Sequence, residues 1–368
     1  MRNVPYVNFP AQFAAEKTEI MGLIEGVFSR GDFIAGEAVA RFEEEVAKYC
    51  GVAQAVALNS GTDALILGMK ALGIGPGDEV ITPPNSFVAS TAVIVAVGAT
   101  PVFADVRDDQ NLDPAAVAAA ITPRTKAIMP VHLTGRIADM DMLLPIAERH
   151  GLAVIEDAAQ SIGSLYNGKK SGSFGHIGCF SGHPLKNLNA AGDAGFLTTN
   201  DQAIADRVRL LRNHGLIDRN TVVEWGTVSR LDTLQAEILR FRLGRLDEVI
   251  ARRRANAELY RKLLADIGPV FIPPCRSMEF NSFHVFVIQV DRRDELQKHL
   301  TEKGIGTGIH YPVPIHLQPA AKSLGHGLGS FPICERQSSR ILSLPINQFV
   351  GEEDIAYVCE NVRAYFGV

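Results

Sequence analysis

The chain has 368 residues, 46% of them apolar and 21% charged, enough to fill a core and exclude a disordered chain. Its net charge of −5 leaves no basic excess to neutralise a phosphate backbone, which excludes a general nucleic-acid binder. The length suits two domains. No apolar run follows Arg2, and the apolar stretch 88–104 is broken by Ser90, Thr91, Gly98, Thr100 and Pro101. Neither a signal peptide nor a membrane span is therefore expected. Cys50, Cys179, Cys275, Cys334 and Cys359 are scattered without a CxxC, the pattern of reduced thiols in a cytoplasmic protein.

In chain order, residues 11–29 and 37–49 have helical spacing, with Phe42, Val46 and Tyr49 on one face. A strand is expected at 54–58. Ser60 is placed to cap a helix to Leu72, before Gly73. Strands follow at 79–82, 101–105, 126–131 and 152–156, separated by helices at 87–97, 114–120 and 140–150. This alternation predicts an α/β domain with a mostly parallel sheet, and continuous apolar runs in its strands predict a sheet covered on both faces. After Asp157 a Gly- and Ser-rich stretch leads to a strand at 178–181. A second strand at 195–199 follows after a loop, so that pair is expected to be antiparallel. Helices are expected at 232–243 and 247–267, the second amphipathic with a basic outer face. A smaller C-terminal α/β unit then holds a strand at 282–290, a helix at 293–303, a Pro-rich loop and a helix at 352–366. The expected division is a large domain over 1–247 and a small one over 248–368.

Ligands of open α/β sheets bind at the carboxyl ends of strands. Three such ends carry candidate chemistry. Gly61 and Thr62 open a helix whose free amides and positive dipole end suit a phosphate, although taken alone a plain N-cap is the plainer reading. Asp157 ends the 152–156 strand, where a carboxylate needs a cation, donors or a capping role. Lys186 lies in a turn of small residues after 178–181, where burial would lower its pKa and make it a nucleophile; a surface lysine is the plainer reading. His132, His310 and His316 lack metal spacing with carboxylates, and no HExxH, GxSxG, Walker or paired-Cys zinc pattern is present, so no metal is expected. A phosphate cradle, an acid and a lysine on one crevice are what pyridoxal 5′-phosphate (PLP) requires.

Five ordered motifs carry a family resemblance: Ser60-Gly61-Thr62-Asp63-Ala64-Leu65, Gly75-Pro76-Gly77-Asp78-Glu79-Val80, Glu156-Asp157-Ala158-Ala159-Gln160-Ser161, Phe180-Ser181-x-x-Pro184-x-Lys186-Asn187-Leu188 and Ser229-Arg230-Leu231-Asp232-x-Leu234-Gln235-Ala236. With them the chain resembles the DegT/DnrJ/EryC1/StrS nucleotide-sugar aminotransferases, PLP enzymes of fold type I, nearly from end to end. The resemblance implies that Lys186 carries the cofactor covalently and shuttles a proton between the substrate Cα and the cofactor C4′. It implies that Asp157 faces the pyridine nitrogen, Gln160 the ring hydroxyl and Phe87 the ring face, while Gly61, Thr62 and Ser181 hold the phosphate. It further implies L-glutamate as amino donor, a nucleotide-linked keto sugar as acceptor and a homodimer with shared sites. Gly192-Asp193-Ala194-Gly195 after the lysine looks more like members that aminate C3 than C4. His310, Tyr311 and His316 in the Pro-rich loop correspond to a substrate-side loop. Two positions depart from the pattern. Val228 stands where an Asn usually reaches the partner subunit's phosphate, and Gly182 replaces an aromatic residue, which would enlarge the pocket beside Lys186. The alternatives are a PLP-dependent sugar dehydratase, in which the lysine is replaced, and a non-catalytic regulator on the same fold.

Overall fold

Strand side chains alternate between two helical layers. In β1 (Gln54–Leu58), Val56 and Leu58 pack into one layer while Ala55 and Ala57 pack into the other. The computed structural model describes residues 2–368. Beside β1, the main sheet contains β2 (Glu79–Thr82), β3 (Thr100–Phe103), β4 (Thr125–Ile128) and β5 (Ala153–Asp157). Past β6 (Leu165–Tyr166) and β7 (Lys169–Lys170) it is completed by β8 (Ile177–Ser181) and β9 (Gly195–Thr199). The seven strands run in the order β1-β9-β8-β5-β4-β2-β3. In this sheet β9 is antiparallel to both its neighbours, as expected for strands joined by a loop without a helix.

One layer consists of helices Gly61–Ala71, Ala89–Ala96 and Gln202–Leu211. Helices Glu37–Cys50 and Thr233–Leu243 cover part of the other face, and Pro114–Ala120 and Met140–His150 cover the rest. Local chemistry sets the ends. Asn8 caps the first helix, Phe9–Arg30, by accepting from the Ala11 amide at 3.1 Å, and Gly31 stops it at a φ of 66°. Gln202–Leu211 was not among the expected elements, although Asp201 caps it and Ala205, Val208 and Leu211 form its buried stripe.

The C-terminal unit packs the end of helix Leu246–Leu264 and helices Arg293–Glu302 and Glu352–Phe366 around an antiparallel pair, β11 (Phe286–Gln289) and β12 (Ile341–Leu344). Its core includes Val4, which pairs with Ile305. The two-residue strand β10 (Glu279–Phe280) joins β6 and β7. No helix among the described residues is long and apolar enough to cross a membrane.

The row that positions everything downstream lies across β1, β9 and β8. Gly195 is opposite Leu58 on one side and Ser181 on the other. Because β1, β8 and β5 are parallel to one another, the segments after Leu58, Asp157 and Ser181 emerge at the same sheet edge. A Cβ on Gly195 would overlap the Ser60 carbonyl carbon and the Gly61 nitrogen, so only glycine lets the turn after β1 close on β9. Gly195→Ala is expected to cost about 1–3 kcal/mol through overpacking, seen as a lower midpoint in chemical denaturation. An unchanged midpoint would contradict this close approach.

Candidate active site

The carboxyl ends of β1, β5 and β8 open on a cavity of about 400 Å³. Gly61, Thr62, Phe87, Asp157, Gln160, Ser181 and Lys186 all line it, and so do His310 and Tyr311. His316 does not. It is buried between Phe103 and Phe331, with Nε2 3.0 Å from Glu335 Oε1, and serves the packing of the Pro-rich segment. Its expected substrate contact is therefore not supported by its position.

Ser60 Oγ accepts the Asp63 amide at 3.1 Å and caps helix Gly61–Ala71. That leaves the first-turn amides of Gly61 and Thr62 without intrahelical acceptors, directed from the helix start. A Cβ on Gly61 would lie 2.9 Å from Ser181 Cβ, so the β1 and β8 turns meet there. Two free amides, the Thr62 and Ser181 hydroxyls and a helix dipole form a concave anion seat.

Asp157 is the last residue of β5 and is buried. Oδ2 accepts from Ser90 Oγ at 2.7 Å and Oδ1 from the Ala159 amide at 3.2 Å. Sequence reasoning missed Ser90; a pair of hydroxyls, Ser90 and Thr91, in an otherwise apolar helix was the available signal. The backbone beside Asp157 is pinned in turn. Glu156 accepts from the amides of Gly172, Phe174 and Gly175, each at 2.7 Å, and lies 2.9 Å from His132 Nε2. Because His132 Nδ1 accepts from the Ala138 amide, the ring proton in the neutral form is on Nε2 and points at Glu156.

The lysine loop is tied at both sides of Lys186. The Asn189 amide donates to Pro184 O at 2.7 Å, and that of Asn187 to Ser282 O at 3.1 Å. Lys186 is half-buried against the cavity wall. Loss of hydration lowers its pKa to about 8, against the opposing pull of Asp157. Gly182 does not enlarge the pocket as expected. It lies outside the cavity lining, and its Cβ position points 2.9 Å from Ala194 Cβ, where its backbone pairs with Ala190 and Ala194.

Gln160 Oε1 accepts the Thr134 amide at 2.8 Å, which turns its NH₂ toward Tyr311, 3.4 Å away. The Phe87 and Tyr311 rings are 5.8 Å apart at 46°. Burial pushes the Tyr311 hydroxyl up to about 12 and His310 down to about 4, so both are neutral near pH 7. Residues from distant segments complete the wall: Tyr6, Asn8, Arg253, His284 and Asn347, none of them singled out by the sequence.

These residues fit PLP. The anion seat matches a phosphate, Phe87 a ring face and Asp157 a protonated ring nitrogen. Among the described residues the Lys186 amine has no hydrogen-bond or ion-pair partner that would compete with covalent attachment. With its pKa near 8, the neutral fraction of Lys186 rises as pH rises through 8. Labelling of the cofactor-free protein by an amine acylating reagent, read by peptide mass analysis, should show half-maximal rate near pH 8 at Lys186. A midpoint near the ordinary 10.5 would contradict its desolvation.

Residues 14–363 match the model of the DegT/DnrJ/EryC1/StrS aminotransferase family. A dTDP-3-amino-3,4,6-trideoxy-α-D-glucose transaminase from Streptomyces venezuelae is 42% identical, over 98% of this chain and 96% of its own. A UDP-N-acetyl-3-dehydro-α-D-glucosamine 3-aminotransferase from Acidithiobacillus ferrooxidans is 43% identical, over 98% and 97%. The crystal structure of S. venezuelae DesV in complex with a ketimine intermediate superposes with a TM-score of 0.97 at 41% identity, covering 99% of both chains. Similarity that runs nearly end to end in sequence and in shape leaves one conclusion: the chain belongs to the DegT/DnrJ/EryC1/StrS aminotransferase family and is a PLP-dependent aminotransferase.

Proposed function

We propose that the enzyme transfers the amino group of L-glutamate to the C3 keto group of a nucleotide-linked sugar. The observation that carries the reading is that Lys186 and Asp157 face one cavity with neither engaged in an ion pair, beside a helix start that suits a phosphate. The regiochemistry is supported by the Gly192-Asp193-Ala194-Gly195 segment after the lysine and by the 3-amino products or 3-dehydro substrate in the names of the two curated relatives. The presence of Lys186 in the cavity disfavours the dehydratase alternative.

When bound, PLP supplies an electron sink for deprotonation of an amino acid Cα. Lys186 does the proton work. With its pKa near 8, roughly a tenth of it is neutral at pH 7, and that amine would hold the cofactor covalently and, once free, act as the base at the donor Cα. Asp157, oriented by Ser90 and Ala159, would hold a proton on the ring nitrogen. Gln160 offers its NH₂ to the ring hydroxyl because Thr134 occupies its oxygen. Gly61, Thr62 and Ser181 would hold the phosphate, and Phe87 would cover the ring.

The reading includes a homodimer with shared sites. The segment Asn213–Val228 folds back on itself and exposes Ile217, Val222, Val223, Trp225 and Val228, with Trp225 89% exposed. Of the donors beside Val228, the Ser229 hydroxyl is bonded to Asn59 and one Arg230 nitrogen to Asn213, which leaves Thr227 and the other N–H groups of Arg230 to take over the missing Asn's contact.

Single-turnover assays with 3-keto and 4-keto nucleotide sugars test this function. The 3-keto sugar should accept nitrogen from L-glutamate with release of 2-oxoglutarate. Lys186→Ala should lose several orders of magnitude in rate. Asp157→Asn should retain the cofactor yet slow donor deprotonation by about 10²–10⁴-fold. Preference for the 4-keto sugar would overturn the regiochemistry, and wild-type rates in Asp157→Asn would reduce that residue to a cap.

A further inference from the structure

We infer that Arg253 is the seat of the amino donor's α-carboxylate; the inference rests on the transamination proposed above. Arg253 lies in Arg252-Arg253-Arg254, a run that reads as the basic outer face of an amphipathic helix. In the structure Arg252 is exposed and Arg254 half-buried, but Arg253 is only 7% exposed. It shares the buried stripe of helix Leu246–Leu264 with Ile250, Ala257, Tyr260 and Leu264. A guanidinium on such a stripe is costly unless it is paired.

Arg253 has no such partner among the described residues. Nη1 donates to Phe283 O at 3.2 Å and His284 O at 3.1 Å, and Nη2 to Gln348 Oε1 at 3.4 Å. Nε has no acceptor, although it is buried, and the side chain lines the cavity. No carboxylate forms an ion pair with it among the described residues. Carbonyl and amide oxygens account for three of the five N–H groups of an arginine and leave its charge uncompensated. Burial also shows in its pKa, lowered to about 10.

The surroundings identify the missing anion. Arg253 bonds to the backbone of His284, whose ring lines the same cavity with Nδ1 buried and unpartnered. The charges of both Lys186 and Arg253 bear on His284 and, with burial, keep it neutral. Lys186 and Arg253 therefore flank a neutral His284 on one side of the cavity, and the acid of the site, Asp157, serves the ring nitrogen. An amino acid carries its α-carboxylate one bond from the Cα that Lys186 deprotonates. A nucleotide sugar carries its diphosphate on C1, two ring bonds and a glycosidic oxygen away from a C3 carbonyl. The anion nearest Lys186 is thus the donor's carboxylate rather than the diphosphate.

The test separates these two anions in the holoenzyme. Glutarate, which cannot react, and UDP are titrated by calorimetry into wild type, Arg253→Lys and Arg253→Met, with thermal melting and cofactor absorbance recorded for each. Lysine keeps the charge and can still reach the Phe283 and His284 carbonyls, but lacks the planar fork. Loss of a charge-assisted pair should weaken glutarate and raise the KM for L-glutamate by roughly 10- to 150-fold, with UDP within twofold of wild type. Arg253→Lys should show this even where Arg253→Met melts too low to assay. Wild type that does not bind glutarate, an Arg253→Lys variant with unchanged glutarate affinity, or one that loses UDP instead would each overturn the inference. Failure of the transamination reading is a different result: wild type that forms no 2-oxoglutarate from L-glutamate.

Discussion

The close approach at Gly195 is the constraint on which the site depends. Ser60 and Gly61 at the end of β1 and Ser181 at the end of β8 are not neighbours in the sheet, because β9 runs between them. Only a strand starting with a residue that has no Cβ lets the two turns meet over it, as the Gly61–Ser181 contact shows. Once they meet, the amides of Gly61 and Thr62, the hydroxyl of Ser181 and the loop that carries Lys186 are held over one cavity. The antiparallel direction of β9 also sends the chain back from the lysine loop at the functional edge of the sheet, so the loop is anchored at both ends by strands.

The electrostatics of the cavity follow from burial more than from pairing. Desolvation outweighs the attraction of Asp157 and lowers the pKa of Lys186 to about 8. The same burial holds His310 and His284 neutral. A lysine paired with a carboxylate would be charged and inert as a nucleophile. Here Asp157 is occupied instead by neutral donors, Ser90 and the Ala159 amide, which orient it without neutralising it. Cation and acid remain available to an incoming group, at the cost of two buried charges that stabilise nothing in its absence.

Much of the fold was legible because its signals are local. Capping residues and unbroken periodicity placed Gln54–Leu58, Pro114–Ala120, Met140–His150 and Glu352–Phe366 at their observed bounds. β6 and β7 were not legible: they are two residues each, a hairpin around Asn167-Gly168 in which β6 alone also pairs with Glu279–Phe280, more than a hundred residues away. Ile341–Leu344 was read as part of a Pro-rich loop, yet its four residues are all buried against β11. At the site, the strand-end motifs that include Gly61, Asp157 and Lys186 could be read because each follows an apolar strand. Arg253, His284, Tyr6 and Asn347 reach the cavity only through tertiary packing. Arg253 still left a trace, since it falls three residues after Ile250 and four before Ala257 on the helix's apolar stripe. His316 misled because its Pro-rich neighbourhood does approach the cavity, while its own ring turns into the Phe103–Phe331 cluster.

The most direct measurement is a crystal structure of the protein with PLP bound. The phosphate should accept from the amides of Gly61 and Thr62 and from the Ser181 hydroxyl. The ring nitrogen should lie within hydrogen-bond distance of an Asp157 oxygen, Phe87 should cover one ring face, and Lys186 Nζ should be covalently joined to the cofactor. A phosphate seated away from the start of helix Gly61–Ala71, or a ring nitrogen turned from Asp157, would contradict a site built on the close approach at Gly195.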